Sequence, residues 1–354
     1  MSKSKDSGIL QREDFDAGPS NLDEIEPNLW LGNLTAATDI DTLQSHGINH
    51  ILTVDSCSLP CAITERRGMV TKFFKITDTA QEDLLSIIED AVAFITSSLE
   101  SGVLLVHCYF GVSRSAALVI AYLMQKYRIS YDCAFQKAKE KRRFVGPNSG
   151  FQSQLKLYHT MGWKVDISNP QFKLYRLHCA AYHVSKARIL PTAFMDLVQP
   201  DPALIRAKPE PLVYRCRKCR RIVASASNLL PHIPKENPKW TDPRLTELMQ
   251  SSSGKYSVKS PQTPDGPAVN DMPAIPPVSA CRETYFIEPL GWMAEVQHQQ
   301  QGKLNCPKCA TKLGSFSWIM GCQCPCGAKV SPAFYLVPSK VDWSNFVQNV
   351  QVTV

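Results

Sequence analysis

Between Leu29 and Trp163 the apolar positions switch repeatedly between short unbroken runs and longer stretches at helical spacing. Ile48-Asn49-His50-Ile51-Leu52-Thr53-Val54 is β-rich and ends at Asp55-Ser56, and a further strand is predicted over Met69 to Ile76. Pro27-Asn28-Leu29-Trp30-Leu31-Gly32 reads as a short strand and turn, with a helix following around Leu34 to His46. Leu84, Leu85, Ile87, Ile88, Val92, Phe94 and Ile95 recur at roughly helical spacing and predict a helix before Gly102. Val103 to Val106 has the length of a buried strand, and Ala116 to Met124 reads as a buried helix. Two more helices are predicted, near Tyr131 to Arg142 and from Ser149 to Met161, with Asn148 placed to cap the second. Strands alternating with helices imply an α/β domain on a mostly parallel central sheet flanked by helices.

The texture differs on either side. Residues 1–22 are polar, carry Gly8, Gly18 and Pro19 and show no period, so they read as a disordered arm before a domain over 23–165. Leu174, Leu177 and Ala181 suggest a helix in a linker over 166–212, which Pro191, Pro200, Pro202, Pro209 and Pro211 break into pieces. Cysteine pairs then define a small region over 213–340, rich in strands and loops. Ser, Pro and Gly crowd 234–279, which reads as a mostly disordered insertion. Phe334-Tyr335-Leu336-Val337 is the last predicted strand, and 341–354 a tail that frays from Asn345.

A length of 354 residues suits two or three domains, and 44% apolar content is enough for at least one large core. No apolar run approaches the roughly 18 residues of a membrane span, so a soluble intracellular protein with no membrane partner is expected. In a reducing compartment, 13 cysteines point to metal or catalysis rather than to disulfides. The net charge of +7 is compatible with acidic partners or nucleic acid and singles out neither.

The chemistry concentrates where strand meets helix, at His107-Cys108-Tyr109-Phe110-Gly111-Val112-Ser113-Arg114-Ser115. A loop of this kind aims its backbone N–H groups and the positive end of the next helix at one point, where an anion would sit. Cys108 stands in the same field, which favours its thiolate. Arg114, six residues on, brings a planar fork able to hold two phosphate oxygens.

The His-Cys-x5-Arg-Ser spacing, with Gly three residues after the Cys, resembles the signature of cysteine-dependent protein phosphatases. Asn28-Leu29-Trp30-Leu31-Gly32, Ala121-Tyr122-Leu123-Met124 and Pro147-Asn148-Ser149-Gly150-Phe151 narrow the resemblance to the dual-specificity branch. The resemblance implies a cysteine-phosphatase fold and hydrolysis of phosphotyrosine, phosphoserine and phosphothreonine in phosphoprotein substrates through a phosphocysteine on Cys108. Tyr109, Phe110, Gly111, Val112, Ser113 and Arg114 would form the phosphate loop, and Ser115 would assist the departing thiolate. The family's general acid matches Asp78, with Asp83, Glu82 and Asp55 as rivals. His107 either tunes the loop through buried hydrogen bonds or is a plain core histidine. Tyr109-Phe110 is bulky where many relatives carry smaller or polar residues. Lys141-Arg142-Arg143 reads first as a solvated helix face and second as an attraction for phosphosubstrates.

Cys216-Arg217-Lys218-Cys219 and Cys306-Pro307-Lys308-Cys309 are Cys-x2-Cys knuckles of the kind that tetrahedral zinc takes. His232, Cys281, Cys324 and Cys326 are on offer as further ligands, with Cys322 a spare that can trade places with Cys324. The region resembles the zinc-binding C-terminal part attached to one type of dual-specificity phosphatase, on Tyr214 to Arg221, Tyr285 to Pro289, Cys306 to Gly314 and Cys324 to Gly327. Carried over, that resemblance implies two structural zinc ions: one on Cys216, Cys219, His232 and Cys281, the other on Cys306, Cys309, Cys324 and Cys326. Interleaved pairing stays open. Catalysis itself needs no cofactor. Arg215, Arg217, Lys218, Arg220 and Arg221 form a basic run that either contacts phosphate-rich surfaces or is solvated. Relatives of this type imply a nuclear and cytoplasmic protein. The alternative to an enzyme is a zinc-domain docking factor on pre-ribosomal or other RNA-rich assemblies, without DNA sequence recognition.

Overall fold

The apolar run Val103–His107 (β5) becomes the central strand of a five-stranded sheet in the computed structural model of the chain. Residues 21–205, 210–237, 239–246, 248, 281 and 283–345 are described, in two units, Met1–Val165 and Asp166–Val354. In the first unit β2 (Leu29–Gly32) and β3 (Ile48–Asp55) flank β5 in parallel. β4 (Val70–Lys75) is a parallel edge beside β3, and β1 (Leu22–Glu26) runs antiparallel on the other edge. Leu104, Leu105 and Val106 are fully buried, as both-face coverage of a parallel strand requires.

The helix expected over Leu34 to His46 is two, α1 (Leu34–Thr38) and α2 (Ile40–Ser45). Asp39 separates them: its backbone is extended, and its carboxylate accepts the Asp41 N–H to start the second. α3 (Cys61–Thr64) is one short turn. α4 (Leu85–Ser101) lacks a capping side chain of its own, and the buried Gln154 supplies the acceptor, taking the Leu84 and Leu85 N–H groups at 2.8 and 3.2 Å. Gln154 belongs to α7 (Ser149–Thr160), which follows α6 (Tyr131–Lys141). α5 (Arg114–Tyr127) is buried at every position from Arg114 to Met124 and leads straight out of the loop after β5. The expected α/β layering is therefore observed.

The second unit begins earlier than expected. Residues 166–212, expected as a linker with a helix at Leu174, Leu177 and Ala181, contribute α8 (Pro170–Ala187), capped by Asn169 with Pro170 in its first turn. Its buried face includes Phe172, Tyr175, Leu177 and Val184, and Lys173 pairs with the mostly buried Glu288 at 2.9 Å. The helix is thus part of the unit's core, with Tyr175 against Trp240 and His183 against Phe194. β6 (Leu212–Cys216) and β7 (Ile222–Ser225) form a hairpin. Where a tail was expected over 341–354, β14 (Val341–Asn345) pairs with β6 from Val341↔Cys216 to Asn345↔Leu212, and 346–354 lie outside the described residues. A four-stranded antiparallel sheet orders β8 (Tyr285–Phe286), β13 (Ala333–Leu336), β10 (Lys312–Ser317) and β9 (Gln301–Asn305). Its core holds Trp318 edge-on to Phe334, with Phe334 stacked on its cross-strand partner Phe316. β11 (Cys322–Gln323) and β12 (Lys329–Val330) make a separate small hairpin.

The insertion expected over 234–279 is ordered at its start: Trp240 packs on Tyr175, and Thr246 donates to Gln171 at 2.8 Å. Most of the remainder, with residues 1–20 of the expected arm, lies outside the described residues. No helix among the described residues is long and apolar enough to cross a membrane.

Candidate active site and cysteine clusters

The loop from Cys108 to Ser113 can wrap because Gly111 takes a left-handed φ of 69°, and a Cβ there would stand 2.4 Å from the Gly32 carbonyl oxygen. Three backbone contacts anchor the ring: Leu34 N–H to the Tyr109 carbonyl at 3.1 Å, Gly146 N–H to that of Val112 at 2.9 Å, and Arg142 Nε to that of Gly111 at 2.9 Å. Arg142 was expected on a solvated face. Instead it is 1% exposed and pairs with Asp23 at 2.5 Å, because the loop carbonyls beneath Cys108 need a donor that α6 can deliver.

Cys108 lies at the bottom of a cleft of about 410 Å³ lined by Asp78, Phe110, Val112, Ser113, Arg114, Gly146 and Asn148. Its Sγ accepts the Ser115 hydroxyl at 3.1 Å and the Gly111 N–H at 3.3 Å. The Arg114 guanidinium donates through one terminal nitrogen to Asp55 at 2.5 Å and to the Ile76 carbonyl at 3.3 Å, while its buried Nε–H has no acceptor among the described residues. Asp78 accepts twice on the same oxygen, from Ser113 Oγ at 2.7 Å and Asn148 Nδ2 at 2.8 Å, leaving Oδ2 for a proton. Asn148 also caps α7, its Oδ1 taking the Phe151 N–H at 3.0 Å, so both ends of one amide serve.

Of the four candidate carboxylates only Asp78 lines the cleft. Glu82 accepts the Thr77 N–H at 3.2 Å, Asp83 the Ser86 N–H at 3.1 Å, and Asp55 holds Arg114. Burial pushes the His107 imidazole down to about 4, and Nε2 lies 2.8 Å from Thr53 Oγ1, so it is a neutral structural histidine. Sequence reasoning placed Asn148 as a cap, Asp55 as a rival acid and Arg142 on a solvated or phosphosubstrate-attracting face. Nothing local to those positions signals the partners that give them their other contacts.

The eight expected metal ligands gather into two groups, with donor atoms in each lying within 4.8 Å of one another. The membership corrects the expected sets. Cys216, Cys219, Cys306 and Cys309 form one group and His232, Cys281, Cys324 and Cys326 the other, which is the interleaved arrangement. Both knuckles fold alike, with the Arg220 and Ala310 N–H groups bonding the Cys216 and Cys306 carbonyls at 2.8 Å. Arg220 and Ala310 both take left-handed backbones. Two matching hairpin turns therefore face one another, and neither needs the more distant His232. Cys216–Cys309 and Cys219–Cys306 sulfurs lie 3.7 and 3.5 Å apart, and Cys281–Cys324 3.5 Å. A tetrahedron with zinc–sulfur bonds of about 2.3 Å has edges of about 3.8 Å, far above a disulfide's ~2.05 Å. His232 Nε2 is 3.4 Å from Cys326 Sγ, close to the ~3.6 Å edge of a mixed nitrogen–sulfur site. Cys322 is in neither group. The basic run beside Cys216 is engaged within its own unit: Arg217 and Arg220 with Asp342 at 2.9 and 2.6 Å, and Arg221 with Asp201.

Residues 29–161 match the model of the dual specificity phosphatase catalytic domain. Over 99% of this chain and 95% of the relative, the sequence is 44% identical to dual specificity protein phosphatase MPK-4 of Drosophila melanogaster. The chain belongs to the dual specificity protein phosphatase family. The human dual specificity protein phosphatase 12 is 33% identical over 90% of this chain and 87% of its own length. Tyrosine-protein phosphatase YVH1 of Saccharomyces cerevisiae is 29% identical over 89% of each. These matches run through both units, so the cysteine-rich half is shared by relatives that are phosphatases by name.

Proposed function

We propose that this phosphatase cleaves phosphotyrosine and phosphoserine/phosphothreonine esters on proteins through a phosphocysteine at Cys108. The observation that carries the reading is the shared cleft, with a sulfur at its base and, among the described residues, an arginine whose Nε–H lacks an acceptor and a carboxylate with one oxygen uncommitted. The Cys108 thiolate attacks phosphorus while the bond to the substrate oxygen breaks with its electron pair, and Asp78 Oδ2 delivers a proton to that oxygen. Arg114 Nε–H and the loop N–H groups of residues 109–114 hold the equatorial oxygens as charge develops. Asp78, now a carboxylate, takes a proton from the water that attacks the phosphocysteine. The sulfur–phosphorus bond breaks back to thiolate, which the Ser115 hydroxyl supports from 3.1 Å.

The two clusters would each hold a structural zinc, since every position is filled by a protein donor and none is left for water. Bound zinc would tie strands of the second unit together and supply no step of the reaction. A second reading, delivery of the chain to pre-ribosomal or other RNA-rich assemblies in nucleus and cytoplasm, draws support from the separate core of Asp166–Val354. The pairing of Arg217, Arg220 and Arg221 with Asp342 and Asp201 weighs against that basic run as the contact.

Hydrolysis of an aryl phosphate, inhibited by vanadate, tests the chemistry. Cys108→Ser should abolish it. Asp78→Asn should slow an alkyl phosphate by about 100-fold or more, the ordinary contribution of a general acid. An Asp78→Asn variant that handles a poor leaving group as well as the parent refutes the acid assignment. In cells, loss of the biological role in Cys108→Ser supports catalysis, whereas loss only in Cys306→Ser supports delivery.

A further inference from the structure

Two aromatic side chains stand in the phosphate loop where burial would be the physical default. Tyr109 is 54% and Phe110 64% exposed, although both follow the buried run Leu104 to Cys108. They are held there, not loose. Gly111, itself buried, makes the left-handed turn that returns the chain to the core just after them, and the Tyr109 carbonyl is fixed by the Leu34 N–H. Arg142, buried beneath, bonds the Gly111 carbonyl at 2.9 Å and reaches that of Phe110 at 3.5 Å. The backbone cannot turn these side chains inward without giving up those bonds. The rings also brace each other, edge to face with centroids 4.7 Å apart. Phe110 lines the cleft over Cys108, and Tyr109 supports it from outside that lining.

We propose that Phe110 is a specificity-determining wall of the cleft, braced by Tyr109, that favours aryl phosphoesters, hence phosphotyrosine over phosphothreonine, by contact with the substrate ring. The inference rests on the proposed phosphocysteine reading and adds a substrate preference to it. A phosphotyrosine with its phosphorus at Cys108 carries a ring up through the cleft past Phe110. A phosphothreonine carries a methyl and then its own backbone there, and leaves the Phe110 face in water. An aromatic pair of this kind contributes about a three- to tenfold preference.

The test compares kcat/KM for two peptides identical except for phosphotyrosine or phosphothreonine at one position, using the full chain. Phe110→Ala and Phe110→Leu should each lower the phosphotyrosine-to-phosphothreonine ratio about three- to tenfold, mainly through KM for phosphotyrosine. Phe110→Tyr should restore it. Reading a ratio removes any common loss from a disturbed loop, and residual phosphothreonine turnover reports that the variant is folded. An unchanged ratio in Phe110→Ala, or a Phe110→Leu as selective as the parent, overturns the inference while leaving the phosphocysteine reading intact. A parent protein that turns over neither peptide removes both.

Discussion

Crossed pairing of the cysteine knuckles predicts a metal count that no successive pairing can produce. The perturbation is removal of both thiols from both knuckles, Cys216→Ser and Cys219→Ser together with Cys306→Ser and Cys309→Ser. In the structure these four sulfurs form a single cluster, with cross-knuckle separations of 3.5 and 3.7 Å between residues 87 and 93 positions apart. Losing all four therefore erases one site and leaves His232, Cys281, Cys324 and Cys326 complete. Were the first knuckle paired with His232 and Cys281, the same variant would strip half the ligands from each of two sites. A structural site provides roughly 10–16 kcal/mol of apparent metal affinity, and a half-site keeps too little to survive dialysis. Metal content by native mass spectrometry should thus read two zinc ions in the parent and one in the fourfold variant. It should also read one in either knuckle's double variant alone. A fourfold variant with no zinc, or with two, refutes the crossed assignment.

Three further outcomes follow from the first unit. Asp55→Asn leaves the Arg114 fork without its charged partner, so kcat should fall about tenfold with KM unchanged or lower; a rise in KM at constant kcat would refute a positioning role. At Gly150 a Cβ would stand 2.0 Å from the Ala80 carbonyl oxygen, so Gly150→Ala should push back the segment carrying Asp78. It should cost about tenfold or more on alkyl phosphates and far less on p-nitrophenyl phosphate, whose leaving group departs without a proton; equal losses would sink that argument. His107 is held near 4, below its unfolded value, so the unfolded chain binds the extra proton. Its contribution to stability is full above about pH 6.5 and declines as pH falls toward 4, by about 2 kcal/mol between pH 7 and pH 5. Urea unfolding of His107→Asn should show a correspondingly flatter dependence in that window.

What a short stretch of chain can encode by itself was legible. The Cys108-to-Ser115 spacing specified loop and helix start together, because one turn separates the sulfur from the guanidinium and no distant residue is needed to bring them near. The same holds for the two Cys-x2-Cys turns, for Asn148 as a cap and for the buried runs of β5 and α5, where local periodicity and turn chemistry decide. Tertiary structure decided everything that joins segments far apart: which knuckle meets which, that Asp55 steadies Arg114, that Arg142 holds the loop from beneath, and that Asn148 also bonds Asp78. It likewise turned Val341–Asn345 from a tail into a strand beside β6, and gave the helix expected in the linker, Pro170–Ala187, a buried face in the second unit. The physical reason is shared by all of these. A cysteine, an arginine or a β-prone pentapeptide has the same local signature whether or not a partner waits for it, and the partner is supplied only when the fold closes the distance.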